Sequence, residues 1–431
     1  MSKPSYLRRY SPLLLFAIVS GASFLAILLS RGLLLDSYFH PAPTDSAMDY
    51  FNCLAMATSD QPYADGSNYP PLCFIALKIL HYIVPTGVPT ADQLVQSGTA
   101  TTGFFLRNYE PAFISYIVFT MLCVVGICIS IIHMTRSLPE HLRYCIVLIN
   151  ILSGPFLFLL ERGNLLLLSV CGTFIFAALH QSPNRALRII AYISLSISAA
   201  IKIYPFIFSF ILLGEHRYRA FSFTALLIFM LFIVPFALLG GMDALFGLLA
   251  GLNQFVNDHS AHGFGLQFSI LNMLHVLEAI LGHALPRSLD TVLCFAVLVL
   301  GIYFLIRETS SWTKFVIAGL LCVIVPSVSY TYSLVMLLPG LTMGIRDRLS
   351  SSHTNKAESI ELCLLSLSVC TITLPIVSLP GNTPESVVYP LYWGGVVINL
   401  ALILLFASIV LGATRTSNHH DLPLVNAIQG S

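Results

Sequence analysis

A chain of 431 residues in which 56% are hydrophobic and only 10% charged cannot wet its own surface. Soluble domains carry about 25% charged residues, so a mean hydropathy of +0.84 places most of this surface against lipid. The net charge of +1 gives no basic field for nucleic acid and excludes it as the natural partner.

In chain order, the first apolar stretch, about 12–30, follows Lys3, Arg8 and Arg9. It is long enough to cross a bilayer, and no small-x-small cleavage site follows, so it reads as an uncleaved anchor with a cytoplasmic N-terminus. A polar segment at 31–108 comes next, with Asp36, Asp45, Asp49, Asp60, Asp65 and Asp92. Its apolar stretch from Pro70 to Val84 is too short to span and is expected at the interface. Spans follow at about 109–132, 143–160, 164–180, 189–201, 203–214 and 220–240. The pair around Lys202-Ile203-Tyr204-Pro205 is short and reads as a broken or re-entrant element. A second external segment, 241–288, holds Asp243, Asp258, His259, His262 and Gln267. Spans at about 289–306, 312–328, 331–345, 361–379 and 387–412 complete the series, and the polar tail at 415–431 reads as disordered and cytoplasmic.

The expected fold is therefore all-α: one polytopic membrane domain, 1–414, with about 12 transmembrane helices and a long first external loop. Loops assigned to the cytoplasm hold most of the 21 basic residues, which sets the orientation by the positive-inside rule. Those loops are short turns. Chemistry is expected on the opposite face, where the long segments lie.

Ten cysteines fall mostly inside apolar runs, where a thiol acts as a small hydrophobe. Neither CxxC nor HExxH occurs, so no metal site and no cofactor are expected. Cys53 and Cys73 share the first polar segment, and a disulfide and two free thiols are equally open.

Three constellations can carry chemistry. Residues 44–72 place Asp45 and Asp49 four apart, on one face if helical. The stretch passes Gln61-Pro62-Tyr63 and ends in Tyr69-Pro70-Pro71, where Pro-Pro suits the start of a helix. A carboxylate here can serve as general base toward a hydroxyl; the competing reading is a solvated loop charge. Glu161-Arg162-Gly163-Asn164 sets paired ionisable groups beside the bilayer core, or forms a plain polar hairpin. Lys202, just before Pro205, is either a cation for an anion such as lipid phosphate or a snorkelling side chain. His262 and Gln267, with Tyr330 and Tyr332, sit near external helix ends, where an interfacial belt is an equal account of the tyrosines.

The order of these motifs resembles glycosyltransferase family 87. The resemblance rests on Asp49-Tyr50, Gln61-Pro62-Tyr63, Tyr69-Pro70-Pro71, ERGN at 161–164, AAIKIYP at 199–205 and the basic run His216-Arg217-Tyr218-Arg219, and it covers residues 10–345. It implies a GT-C-type helical bundle that moves a sugar from a polyprenyl- or dolichyl-phosphate donor, as the family's mannosyl- and arabinofuranosyltransferases do. The acceptor would be a glycolipid or glycan on the non-cytoplasmic face, with a bacterial cell membrane as the expected location. The implied catalytic base is Asp49, with Asp45 second. Glu161, Arg162, Asn164, Lys202, Tyr204, His262 and Gln267 are the implied substrate- and phosphate-binding residues. The chain has Asp-Ser-Ala-Met-Asp rather than a compact Asp-x-Asp, which leaves the choice of base open and weakens a metal role. A multi-span transporter or lipid flippase is the alternative from another class.

Overall fold

The computed structural model describes residues 3–39, 45–59, 61–64, 67–83, 102–259, 266–286, 288–351, 355–374, 376–379 and 389–420. The anchor is α1 (Lys3–Leu29). The polar segment after it folds into α2 (Met48–Thr58), α3 (Pro71–Ile83) and α4 (Thr102–Asn108). As Pro70-Pro71 suggested, α3 starts at the second proline, whose missing N–H costs nothing in a first turn. Next come α5 (Glu110–Met134), α6 (Glu140–Ile151), α7 (Gly154–Arg162), α8 (Leu166–Leu179) and α9 (Arg185–Ile201). After a 3-10 turn at Tyr204–Ser209 the chain forms α10 (Phe210–Gly214) and α11 (Tyr218–Ile233), which runs into a second 3-10 turn, Val234–Leu238. Then follow α12 (Met242–His259), α13 (Ile270–Leu281), α14 (Ser288–Arg307) and α15 (Ser311–Ile324). A 3-10 stretch, Thr331–Leu337, leads into α16 (Leu338–Ser350) and α17 (Lys356–Ser368). The chain closes with β1 (Ile376–Leu379), β2 (Tyr389–Tyr392) and α18 (Trp393–His420).

Among the described residues, five helices are long and apolar enough to cross a membrane: Arg8–Leu29, Glu110–Met134, Tyr218–Leu238, Ser288–Arg307 and Trp393–Gly412. The bent pair α6–α7 makes a sixth if counted as one span. The other apolar runs behind the expected count of twelve are shorter or broken, and prolines explain the breaks. Pro155 has no N–H for the Ile151 carbonyl four residues back, and α6 and α7 meet at 52° there. Pro205 does the same to Ile201 and ends α9.

Burial sorts the helices by environment. In α15 every residue from Trp312 to Ile324 is buried, so it is apolar all round because it runs through the centre. By contrast Met121, Leu122 and Val125 of α5, Leu226 and Phe229 of α11 and Val292 and Phe295 of α14 are exposed, as a lipid-facing surface requires.

Three expectations need correction. The stretch 241–288 is largely helical, with α12 and α13, rather than loop. The span expected at 361–379 stops at Ser368, and Ile376–Leu379 pairs antiparallel with Tyr389–Tyr392, so a small hairpin joins the helices. Between those strands the sequence carries Pro380, Gly381 and Pro384, which an uninterrupted helix would not tolerate. The last helix also runs past 414, to His420.

The first polar segment forms a cap with its own core. Tyr50, Phe51, Leu54, Phe74 and Leu77 are buried against Leu165, Ile201 and Phe236 of the bundle. That cap brings the acidic segment onto the ends of α7, α8 and α9.

Candidate active site

The site begins with two backbone turns latched together. Ala47 lies in the left-handed region at φ 60, as does Gly163 at φ 63. For alanine that conformation costs about 1 kcal/mol, so neighbouring contacts must hold it. The Ala47 N–H donates to the Glu161 carbonyl at 2.6 Å, and Ser46 Oγ donates to Glu161 Oε1 at 3.1 Å. Gly163 is required twice over: its φ suits glycine, and an added Cβ would lie 2.8 Å from Ala47 Cα. Arg107 Nη1 donates to the Ser46 carbonyl, and Tyr116 Oη donates to the Leu160 carbonyl, so both turns are pinned from α4 and α5.

This latch sets the carboxylates. Asp45 precedes α2, and only Asp49 lies in its first turn, so the two do not share a helix face. They converge instead because the turn at Ala47 folds Asp45 back. Arg162 then takes both: Nη1 bonds Asp45 Oδ2, and Nη2 bonds Asp49 Oδ1 at 2.7 Å. The Asp45 side chain is 35% exposed against 17% for Asp49, so Asp45 is the wetter of the pair.

Asn164 joins the acidic turn to the rest. Its Oδ1 accepts from Leu166 N at the head of α8, while Nδ2 donates to Asp49 Oδ2 at 2.6 Å and to Tyr69 Oη at 3.2 Å. The Tyr69 ring in turn lies 4.2 Å beneath Lys202 Nζ, a cation–π contact worth more where water is excluded. Lys202 makes no ion pair with a carboxylate among the described residues. Its position follows from Pro205, which cannot supply the N–H that Ile201 O expects. The Cys73 thiol donates there instead, at 3.4 Å. Burial pushes that thiol up to about 12 against the pull of Lys202, so it stays protonated and able to donate. Cys53 and Cys73 are both buried free thiols.

The structure thus brings together Asp45, Asp49, Glu161, Arg162, Asn164 and Lys202. Glu161 Oε2 is buried with no hydrogen-bond partner among the described residues. Tyr330 and Tyr332 lie within electrostatic reach of Asp49 and Arg162. The Tyr204 hydroxyl pairs with Ser333 beside Tyr332, and its carbonyl accepts from Cys322 Sγ, so it meets the site through Tyr332 rather than through the carboxylates. Gln267 is fully buried, and its backbone bridges Tyr330 while its Nε2 donates to the His259 carbonyl. It buttresses the tyrosine segment rather than joining the carboxylates. His262 lies outside the described residues. Sequence reasoning missed Tyr69 as a site residue, although a tyrosine directly before a Pro-Pro helix start was a usable signal.

Among the described residues no group of three His, Cys, Asp or Glu is placed to hold a metal ion. Chemically, the cluster offers carboxylates that keep spare lone pairs across a tyrosine from a lysine that makes no ion pair with a carboxylate among the described residues. Such a pairing suits a proton acceptor and a phosphate anchor.

Residues 68–329 match the model of glycosyltransferase family 87. The match takes in Tyr69, Glu161, Arg162, Asn164 and Lys202 and begins after the Asp45–Asp49 turn. No curated protein and no solved structure matches the chain.

Proposed function

The chain belongs to glycosyltransferase family 87 and is a membrane glycosyltransferase, and from that premise we propose a lipid-linked donor, an acceptor class and roles for the clustered residues. The donor is a polyprenyl- or dolichyl-phosphate sugar, with mannose the first choice among hexoses and pentoses. The acceptor is a hydroxyl of a glycolipid or glycan on the non-cytoplasmic face, in a GT-C-type bundle of about 12 spans in a bacterial cell membrane. The observation that carries this reading is the chain of contacts Asp49–Asn164–Tyr69–Lys202.

In the step itself, the acceptor oxygen attacks the anomeric carbon and the bond from that carbon to the phosphate oxygen breaks. The electron pair leaves with the lipid phosphate. The transition state has oxocarbenium character, as in other glycosyl chemistry. Asp49 takes the hydroxyl proton, so the products are the glycoside, the lipid phosphate and a protonated carboxyl. Asp45, more exposed and held by the same guanidinium, is the second candidate for that proton. Lys202 meets the charge that grows on the leaving phosphate, where a preorganised cation is worth most. Arg162 is occupied by both carboxylates and so acts as a positioning residue. Glu161 holds the turn through Ser46 and Ala47. An isoprenoid donor never leaves the bilayer, which accounts for an enzyme built from membrane helices.

Family membership weighs against a transporter. The test is purified protein in lipid nanodiscs, given a panel of labelled polyprenyl-phosphate sugars and glycolipid acceptors. Transfer is expected from at least one donor and strongest with mannose. Folded protein that transfers from a nucleotide sugar but from no lipid-phosphate sugar would overturn the donor assignment.

A further inference from the structure

At the far end of α9 from Lys202, Arg188 stands 14 residues away, about 20 Å at 1.5 Å per residue. An open cleft of ≈ 580 Å³ lies there, lined by Arg188, Tyr192, His216, Arg217, Tyr218 and Arg219. No acidic residue lines it. The first turns of α9 and α11 both meet at this cleft, and Ser196 Oγ donating to the Thr224 carbonyl keeps the two helices side by side.

The charge balance is unfavourable as it stands. Helix N-termini carry partial positive charge, so cations in first turns are disfavoured, yet Arg188 and Arg219 occupy the first turns of α9 and α11. The one carboxylate behind the cleft, Glu215, is engaged by Arg217 at 3.4 Å, His180 at 3.3 Å and Gln181 at 2.6 Å. Arg217 also donates to the His180 carbonyl. Arg188 donates to the carbonyls of Ser182 and Pro183 but has no carboxylate partner among the described residues, and neither has Arg219.

Below the cleft the surface turns apolar. Arg219, Phe223, Leu226 and Met230 fall on one face of α11 by helical spacing, and the last three are exposed. On α9, Ile189 and Ile193 are exposed one turn apart. A cationic head position above two greasy stripes has the shape of a phospholipid.

We propose that this cleft binds the phosphate headgroup of an anionic membrane phospholipid, with its acyl chains along the exposed faces of α9 and α11. Arg188 and Arg219 pair with the phosphate oxygens, and the two helix N-termini favour the same charge. The apolar stripes give the lipid, rather than free phosphate, as the source of the anion. The proposal does not rest on the transfer chemistry.

The experiment is native mass spectrometry of the purified protein titrated with phosphatidylglycerol, with phosphatidylcholine of the same chains, or with inorganic phosphate. Phosphatidylglycerol is expected to bind at least tenfold more tightly than phosphatidylcholine. A basic residue near a membrane surface is worth roughly fivefold in affinity, so R188Q/R219Q is expected to weaken phosphatidylglycerol binding about thirtyfold. R188K/R219K keeps the charge and is expected to retain most of the binding, as is R307Q, whose neighbour Ile306 packs beside Gly214 outside the cleft. Equal binding of the two lipids, unchanged affinity in R188Q/R219Q, or equal loss in R307Q would overturn the proposal. Binding of inorganic phosphate as tight as that of the lipid would assign the cleft to a soluble anion instead. An unfolded R188Q/R219Q would shift the decision to the lipid selectivity of the wild-type protein.

Discussion

The two ends of α8 and α9 each carry a polar cluster, and they are built on opposite terms. At one end His180, Gln181 and Arg217 all converge on Glu215, a single carboxylate with three partners. At the other end Arg162 holds two carboxylates, Asn164 steadies one of them, and Lys202 rests on a tyrosine ring without a counter-ion among the described residues. Left-handed backbone occurs at a non-glycine residue in both, at Ala47 of the latch and at His216 between Glu215 and Arg217. Closed clusters fasten helices. What separates the second cluster is its lysine, which makes no ion pair with a carboxylate among the described residues and so leaves a charge for a ligand to meet in the proposed reaction.

The contrast breaks most sharply at Asp49. Removing a general base typically costs 10²–10⁴ in rate, so Asp49→Asn is expected to lose at least about a hundredfold in transfer, with Asp45→Asn losing less. The reverse order, measured as initial rates on folded protein, would make Asp45 the base. Lys202→Met comes next, with a loss on the order of a hundredfold, as for one preorganised donor to a developing anion. Unaltered donor kinetics would remove the phosphate role. Gly163→Ala tests the latch without touching a polar group. The left-handed φ and the contact with Ala47 together are expected to cost about 1–3 kcal/mol, lowering the melting temperature and transfer together.

The smallest effect on transfer belongs to the closed cluster. Burial alone would raise Glu215, but His180, Gln181 and Arg217 outweigh it and hold it down at about 2. A depressed carboxylate stabilises the fold above its unfolded value near 4.3, and this contribution fades as the pH falls from there through about 2. Glu215→Gln should therefore lower the melting temperature at pH 7, with the difference from wild type shrinking below pH 4. Transfer per folded molecule should change less than twofold. A large loss of turnover would show that the two ends are not separable.

Much of this was legible in the chain. Asp45, Asp49, Arg162, Asn164 and Lys202 stood out because polar residues beside apolar runs are costly and few, and the structure gathers them. The start of α3 was legible from Pro70-Pro71. The break at Pro205 was legible from Lys202-Ile203-Tyr204-Pro205, but hydropathy alone does not say where an apolar run bends, so the break before Pro155 and the hairpin after α17 fall inside expected plain spans. Nor does spacing show that a left-handed alanine folds Asp45 back, or that a thiol replaces the missing proline N–H at Ile201. Nor does any local pattern mark the isolated backbone bridge between Gln267 and Tyr330 that accompanies the burial of Gln267.

The central claim is that one cluster holds the lipid phosphate by Lys202 and takes the acceptor proton at Asp49. The most direct measurement is binding of labelled polyprenyl-phosphate mannose to Asp49→Asn in nanodiscs, set beside its turnover. The account predicts donor binding within a fewfold of wild type with transfer nearly abolished. Wild-type turnover by Asp49→Asn, or loss of donor binding as complete as in Lys202→Met, would contradict it.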